Sequence, residues 1–334
     1  MRLYLTALLM LISPQLLAFT PETGWWWNPD EPGRGYAIEI QDDVVFFAAY
    51  GYDSDGLSVW LTAAGRMTGN TELNVSLDYY EAPPLAGNCL ACPWSGPATA
   101  FPGEGGPMSL VFTSRTTANL LWDGGEMQIE RFNYALGDPL ERLRGEWQLV
   151  LDFSSDPAVF PFGGEILVMD RILVDGAGEY VRGCRPANSE VGQCSANPTR
   201  PAAGELDGDT HVIAVDDSAD TFAIYYLEMG LKETVGLVEI YNKETLAGQG
   251  VFYPVRGQRT ASRAFVNTGI GPNKVLPEVA VQPQRPGLGD VLAARQLTAV
   301  DLKTLGVSES LLKALPQLRD TADRLAQRLA QAEQ

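Results

Sequence analysis

Thr71–Tyr80 reads TELNVSLDYY and sets Leu73, Val75, Leu77 and Tyr79 on one face against Glu72, Asn74, Ser76 and Asp78 on the other. Side chains of an extended chain alternate with period two, so this run has one face for a core and one for water. The pattern spreads outward from there. Arg34–Gln41 sets Tyr36, Ile38 and Ile40 against Glu39 and Gln41, and Leu57–Ala64 alternates through Val59 and Leu61. Val44–Tyr52 is apolar on both faces, as a buried central strand would be. After a Pro/Gly-rich loop (81–107) come Met108–Phe112, Thr117–Trp122 and Glu126–Phe132. Short period-two runs joined by turns predict an antiparallel meander, and such a meander hides its edges by closing or nearly closing.

A second series starts at Gly145. Trp147, Leu149, Leu151 and Phe153 alternate, followed by Glu165–Val174, Glu179–Arg182, His211–Val215, Thr221–Met229, Thr234–Asn242 and Gly250–Val255. The expected class is mostly β, an antiparallel meander forming barrel-like or sandwich domains, with a C-terminal helical segment. We place a first β-domain at 19–140 and a second at 141–270. Pattern alone leaves open whether these are two barrels or one large sandwich. Residues 271–287 are Pro-rich and read as an extended linker. In 288–334 the period becomes helical. Thr298 with Asp301 has capping-box spacing, and Leu311, Leu315, Leu318, Ala322, Leu325 and Leu329 form a stripe. Pro316 is expected to kink or restart that helix. The stripe either docks on the chain's own body or receives a protein partner.

The N-terminus reads MRLYLTALLMLISPQLLA: Arg2, an apolar run Leu3–Ile12, a break at Ser13-Pro14, and Leu16-Leu17-Ala18. This is the order of a secretory signal (1–18), with an apolar core too short to span a bilayer. A periplasmic or secreted chain, cleaved near Ala18, is the expectation, with no transmembrane segment. The net charge is −18, and residues 19–140 carry 16 Asp/Glu against 4 Lys/Arg. Such acidity argues against nucleic acid and against anionic lipid surfaces as partners. The four cysteines lie in two local pairs, Cys89/Cys92 and Cys184/Cys194. An oxidising compartment predicts disulfides, and proximity favours the local pairing among three arithmetic ones.

Gly24-Trp25-Trp26-Trp27-Asn28-Pro29, then Gly33-Arg34-Gly35-Tyr36 and Glu39, then Tyr52-Asp53, Asp55-Gly56 and Trp60-Leu61, form a pattern. It resembles a motif of exported bacterial proteins of unassigned function. The resemblance covers about an eighth of the chain and implies an exported, β-rich protein without assigning any catalytic residue.

Candidate chemistry is sparse. Cys89-Leu90-Ala91-Cys92 has thiol-oxidoreductase spacing, but Pro93 follows in a Pro/Gly-rich loop where that chemistry needs a helix N-terminus, so a loop staple is the stronger reading. The nine residues between Cys184 and Cys194 do not suit a zinc knuckle. Asp53-Ser54-Asp55-Gly56 begins like a calcium loop but has Ala64 at the twelfth position, so it reads as a turn, as does Asp207-Gly208-Asp209. No metal or cofactor is expected. His211, the only histidine, opens a strand without a nucleophile elbow, which favours a structural role. A glycoside-type hydrolase needs only two carboxylates, and Glu39 and Glu126 lie near the aromatic region. The densest unusual feature is that region itself: Trp25, Trp26, Trp27, Tyr36, Tyr50, Tyr52 and Trp60. Trp25, Trp26, Trp27, Tyr36 and Trp60 are the candidate ligand-binding residues, for a sugar or an apolar small molecule. Three consecutive tryptophans in a strand cannot share a face, so at least one should remain exposed. The favoured reading is a non-catalytic exported barrel-like protein with a binding or envelope-scaffold role. A hydrolase through paired carboxylates is the alternative, and an outer-membrane barrel is disfavoured by the helical tail, the cysteine loops and strands apolar on both faces.

Overall fold

A computed structural model describes residues 19–69, 71–81, 99–154, 161–186, 193–266, 288 and 307–332. The described residues build two antiparallel sheets. The first contains β1 (Gly24–Trp27), β2 (Gly35–Gln41), β3 (Val44–Tyr52), β4 (Ser58–Arg66) and β5 (Glu72–Ser76). It continues through β6 (Asp78–Glu81), β7 (Thr99–Phe101), β8 (Pro107–Phe112), β9 (Thr117–Trp122) and β10 (Gly125–Arg131). Their order is β5-β8-β9-β10-β1-β2-β3-β4-β6-β7. The decisive run of the sequence is therefore split at Leu77: β5 pairs with β8 at one edge, while β6 pairs with β4 toward the other. One bent run thus reaches both sides of the sheet and curls it around Trp26, Tyr36, Ile38, Phe47, Leu73, Leu110 and Phe112. Val44–Tyr52 departs from expectation. Val45 and Phe47 are buried, whereas Val44 and Phe46 are exposed, because none of the described residues covers their side of the sheet.

The second sheet closes completely. Strands β11 (Gly145–Asp152), β12 (Phe162–Asp175), β13 (Gly178–Cys184) and β14 (Pro201–Asp207) lead to β15 (Thr210–Asp216), β16 (Thr221–Met229), β17 (Glu233–Asn242) and β18 (Ala247–Ser262). Each pairs with the next, and β18 returns to β11, giving an eight-stranded up-and-down barrel. A barrel of this size has an interior just wide enough to be filled by side chains or to hold one small ligand. Here Trp147, Leu149, Leu167, Met169, Ile213, Tyr225, Val238 and Tyr253 pack within it. The strands thus fall into two sheets, one curled and one closed into a barrel.

Both units open on the same corner. Trp26 donates its indole N–H to the Glu22 carbonyl (3.1 Å), and Trp147 donates to the Leu143 carbonyl (2.9 Å). Two residues before each tryptophan is a glycine in the left-handed half of conformational space, Gly24 (φ 128°) and Gly145 (φ 143°). An arginine from the last strand of each unit folds over that glycine. Arg131 donates to the Thr23 and Trp25 carbonyls. Arg259 donates to the Arg142 and Arg144 carbonyls and lies 4.4 Å from the Trp147 ring centroid. A Cβ on Gly145 would meet the Ala261 carbonyl at 2.7 Å. Gly145→Ala is therefore expected to lower stability by about 1–3 kcal/mol in urea denaturation, and an unchanged midpoint would refute this account of the corner.

A 3-10 turn, Pro139–Arg142, leads into the barrel and tucks Leu140 against its core. Helix α1 (Glu309–Ala332) runs through Pro316 without a restart. Its stripe Leu311, Leu315, Leu318, Ala322, Leu325 and Leu329 packs on the barrel's outer face against Val212, Ala214, Phe222, Ile224, Tyr226 and Leu237. The helix thus docks on its own body. Arg319 reaches Glu239 (3.2 Å), Arg324 reaches Glu205 (2.6 Å), and Thr321 donates to Asp207 (2.7 Å). No helix among the described residues is long and apolar enough to cross a membrane. Cys184 and Cys194 are disulfide-bonded. Cys89, Cys92, the linker 271–287 and the capping pair Thr298/Asp301 lie outside the described residues.

Candidate functional site

In β1 the alternation of an extended strand sends the central tryptophan inward and its neighbours outward. Trp26 is buried edge-on against Phe112, while Trp25 is 50% exposed. Opposite β1, the outer face of β2 offers only Gly35 and Ala37 at this level. With no large side chain between them, Trp25 and Tyr50 of β3 meet over β2, their ring centroids 5.5 Å apart. Tyr50 pairs directly with Trp60 of β4, centroids 5.6 Å apart, and Trp60 is 53% exposed. On the other side Trp27 packs edge-on against Phe132 (4.9 Å), which contacts Tyr134 (5.7 Å). These rings form an aromatic strip across β10, β1, β2, β3 and β4. Four inter-strand steps make it about 19 Å wide.

Of the five candidate residues, the outer surface keeps Trp25, Trp27 and Trp60. Trp26 and Tyr36 belong to the core, where Tyr36 stacks on Phe47 with centroids 5.6 Å apart. Burial pushes the Tyr36 hydroxyl up from its usual titration range. Tyr50, Phe132 and Tyr134 complete the strip. Tyr50 was legible as part of the aromatic run, but its role as the bridge depends on Gly35 lying opposite it.

The carboxylate pair does not assemble. Trp26 is level with Tyr36 on one side and Arg131 on the other. Glu39 lies three residues beyond that level and Glu126 five residues before it on a strand running the same way, a separation of about 26 Å along the sheet. Acid–base hydrolysis of one glycosidic bond needs the two carboxyl groups within about 10 Å. The turn Asp53–Gly56 closes on itself: Asp53 accepts from the Asp55 and Leu57 amides (2.9 and 2.8 Å). His211 is buried, its Nε2 3.0 Å from the Pro139 carbonyl. Among the described residues no cluster of His, Cys, Asp or Glu has the makings of a metal site.

The barrel adds a constellation that the sequence did not reveal. Near the end of the barrel where β12 begins, Arg185 bridges Glu165 (2.6 Å) and Asp217 (2.9 Å), and the Tyr225 hydroxyl donates to Glu165. Burial first, and then the Glu165 carboxylate, hold Tyr225 well above its usual titration, so it stays a donor. Thr221 also donates to Asp217 (3.1 Å). The charges satisfy one another, which makes the group a bracing network rather than a reacting pair. Compared with known protein families, curated proteins and solved structures, the chain matches none.

Proposed function

We propose that this chain is an exported, non-catalytic binding protein of the cell envelope, and that its aromatic strip holds a neutral polysaccharide chain. The observation that carries the reading is the pair of half-exposed rings Trp25 and Trp60, bridged by the partly buried Tyr50 at centroid distances of 5.5 and 5.6 Å. Aromatic faces stack on the C–H faces of sugar rings and lose little conformational entropy in doing so. Large exposed aromatics side by side reduce solubility unless a ligand covers them. The surrounding acidity, 16 acidic against 4 basic residues in 19–140, disfavours an anionic polymer. Export is supported by the order of residues 1–18 and by the Cys184–Cys194 disulfide, a bond suited to an oxidising compartment.

The test is affinity electrophoresis of the mature chain through gels containing a soluble neutral β-glucan. Retarded migration is expected for the wild type and normal migration for a Trp25→Ala/Trp60→Ala double variant. Both rings are exposed, so the variant's melting temperature should stay within about 2 °C of the wild type. Equal migration of the two proteins would refute the proposal.

A further inference from the structure

Gly35 lies in the middle of the aromatic strip, and nothing in the fold requires a glycine there. Three structural demands put glycine in or beside a strand: a left-handed backbone, a neighbour too close for a Cβ, or a bulge. Gly33 meets the first, with φ 101°. Gly65 of β4 meets the second, since a Cβ there would lie 2.6 Å from Val75. Gly35 meets none of them. Its φ lies outside the left-handed range, and its pairing with Tyr50 continues in register to Gln41. A Cβ on it would meet only the Trp26 carbonyl, at an ordinary 3.8 Å. A strand glycine packs no side chain and loses more freedom on folding than alanine, so it weakens β2 without supporting the fold elsewhere.

The remaining reason for a glycine inside a strand is the close approach of a ligand. The surroundings fit one. Strand pairing sets Trp27, Gly35, Tyr50 and Trp60 in one row across four strands of the outer face. Strands lie about 4.8 Å apart, so the row has a gap about 10 Å wide between the positions of Trp27 and Tyr50. The flanking rings are engaged on either side of it, Trp27 with Phe132 (4.9 Å) toward β10 and Tyr50 with Trp60 (5.6 Å) toward β4. Neither they nor Trp25 comes within 4 Å of where a Gly35 Cβ would stand, and Gly35 is itself partly exposed.

Resting on the polysaccharide reading above, we propose that this opening is the subsite that seats one sugar ring against the β2 backbone. Gly35 is its specificity-determining residue. The C–H face of the sugar meets the flanking aromatics, while its edge takes the space that any side chain at position 35 would fill.

The test repeats the β-glucan electrophoresis with Gly35→Val and Gly35→Ala, each paired with a melting curve. Gly35→Val is expected to weaken binding roughly tenfold or more without lowering the melting temperature by more than about 2 °C. A merely structural glycine would give the reverse, a lower melting temperature with binding kept. Where valine unsettles the fold, Gly35→Ala decides. Its Cβ has room, so the melting temperature holds or rises while binding falls about threefold. Both variants retarded as strongly as the wild type would overturn the subsite and leave the strip reading standing. An unretarded wild type would overturn the strip reading, and the subsite with it.

Discussion

Removal of residues 307–334 is expected to abolish the folded barrel as a soluble monomer. Leu311, Leu315, Leu318, Ala322, Leu325, Ala326 and Leu329 are all buried against the barrel's outer face. Each buried leucine contributes about 2–5 kcal/mol by the cost of truncating it, and a domain holds only about 5–15 kcal/mol in total. The loss extends beyond apolar area. Glu205 and Glu239 are buried on that face and pair with Arg324, Arg328 and Arg319 of the helix. Without α1 these carboxylates lose their arginine partners, Glu239 keeping only the Gly250 amide (2.7 Å) and the Tyr226 hydroxyl, and the apolar face around Tyr226 and Phe252 is laid open to water. The truncated chain should bind a hydrophobic dye strongly and elute as aggregates. The single substitution Leu325→Ala should lower stability by about 2–5 kcal/mol in urea denaturation. A truncated chain that stays monomeric with an unchanged unfolding midpoint would show that the helix is dispensable.

The second large effect is acid sensitivity through His211. Burial, above all, lowers its pKa from 6.5 to about 4, with Arg142 and Arg259 adding in the same direction and the Pro139 carbonyl opposing. Its Nδ1 has no hydrogen-bond partner, so protonation would place an uncompensated charge inside the barrel. Between the two values the unfolded chain holds the proton and the folded chain refuses it. Stability from this residue is therefore complete above pH 6.5 and is lost as pH falls toward 4. The size is about 3 kcal/mol at roughly 1.4 kcal/mol per unit of pKa. Glu22, Glu228 and Glu239, raised by burial, act in the opposite sense and weaken the fold as pH rises above their unfolded values. Comparison with His211→Gln isolates the histidine. Chemical denaturation at pH 7, 5.5 and 4 should show a steeper acid loss in the wild type than in the variant. Parallel acid limbs would mean that His211 does not titrate in this way.

The parts of the fold readable in the sequence are those encoded by near neighbours. Alternation placed most strands within a few residues, Asp53–Gly56 read as a turn, and the short spacing of Cys184 and Cys194 favoured their bond. The three tryptophans could not share a face, and Trp26 does part from Trp25 and Trp27. Short β1 and β7 carry too few residues for a period to register, and Pro201-Ala202-Ala203-Gly204 opens β14 with small residues that show no alternation.

What the alternation could not supply is the choice of partners. A period of two says which side chains share a face, but not which strand lies beside them or what covers that face. The β18–β11 closure, the split of one run between two sheet positions and the docking of α1 on its own barrel each join residues far apart in the chain. So do Arg131 and Arg259, whose seats over Gly24 and Gly145 leave no local trace, and Arg115, which pairs with Glu233 of β17. The sequence by itself determined the antiparallel β class, the helical tail and the presence of an outward tryptophan. Only the tertiary structure decided which rings form the strip and which face the helix covers, because long-range pairing is selected by the whole core against loop-closure entropy rather than by local spacing.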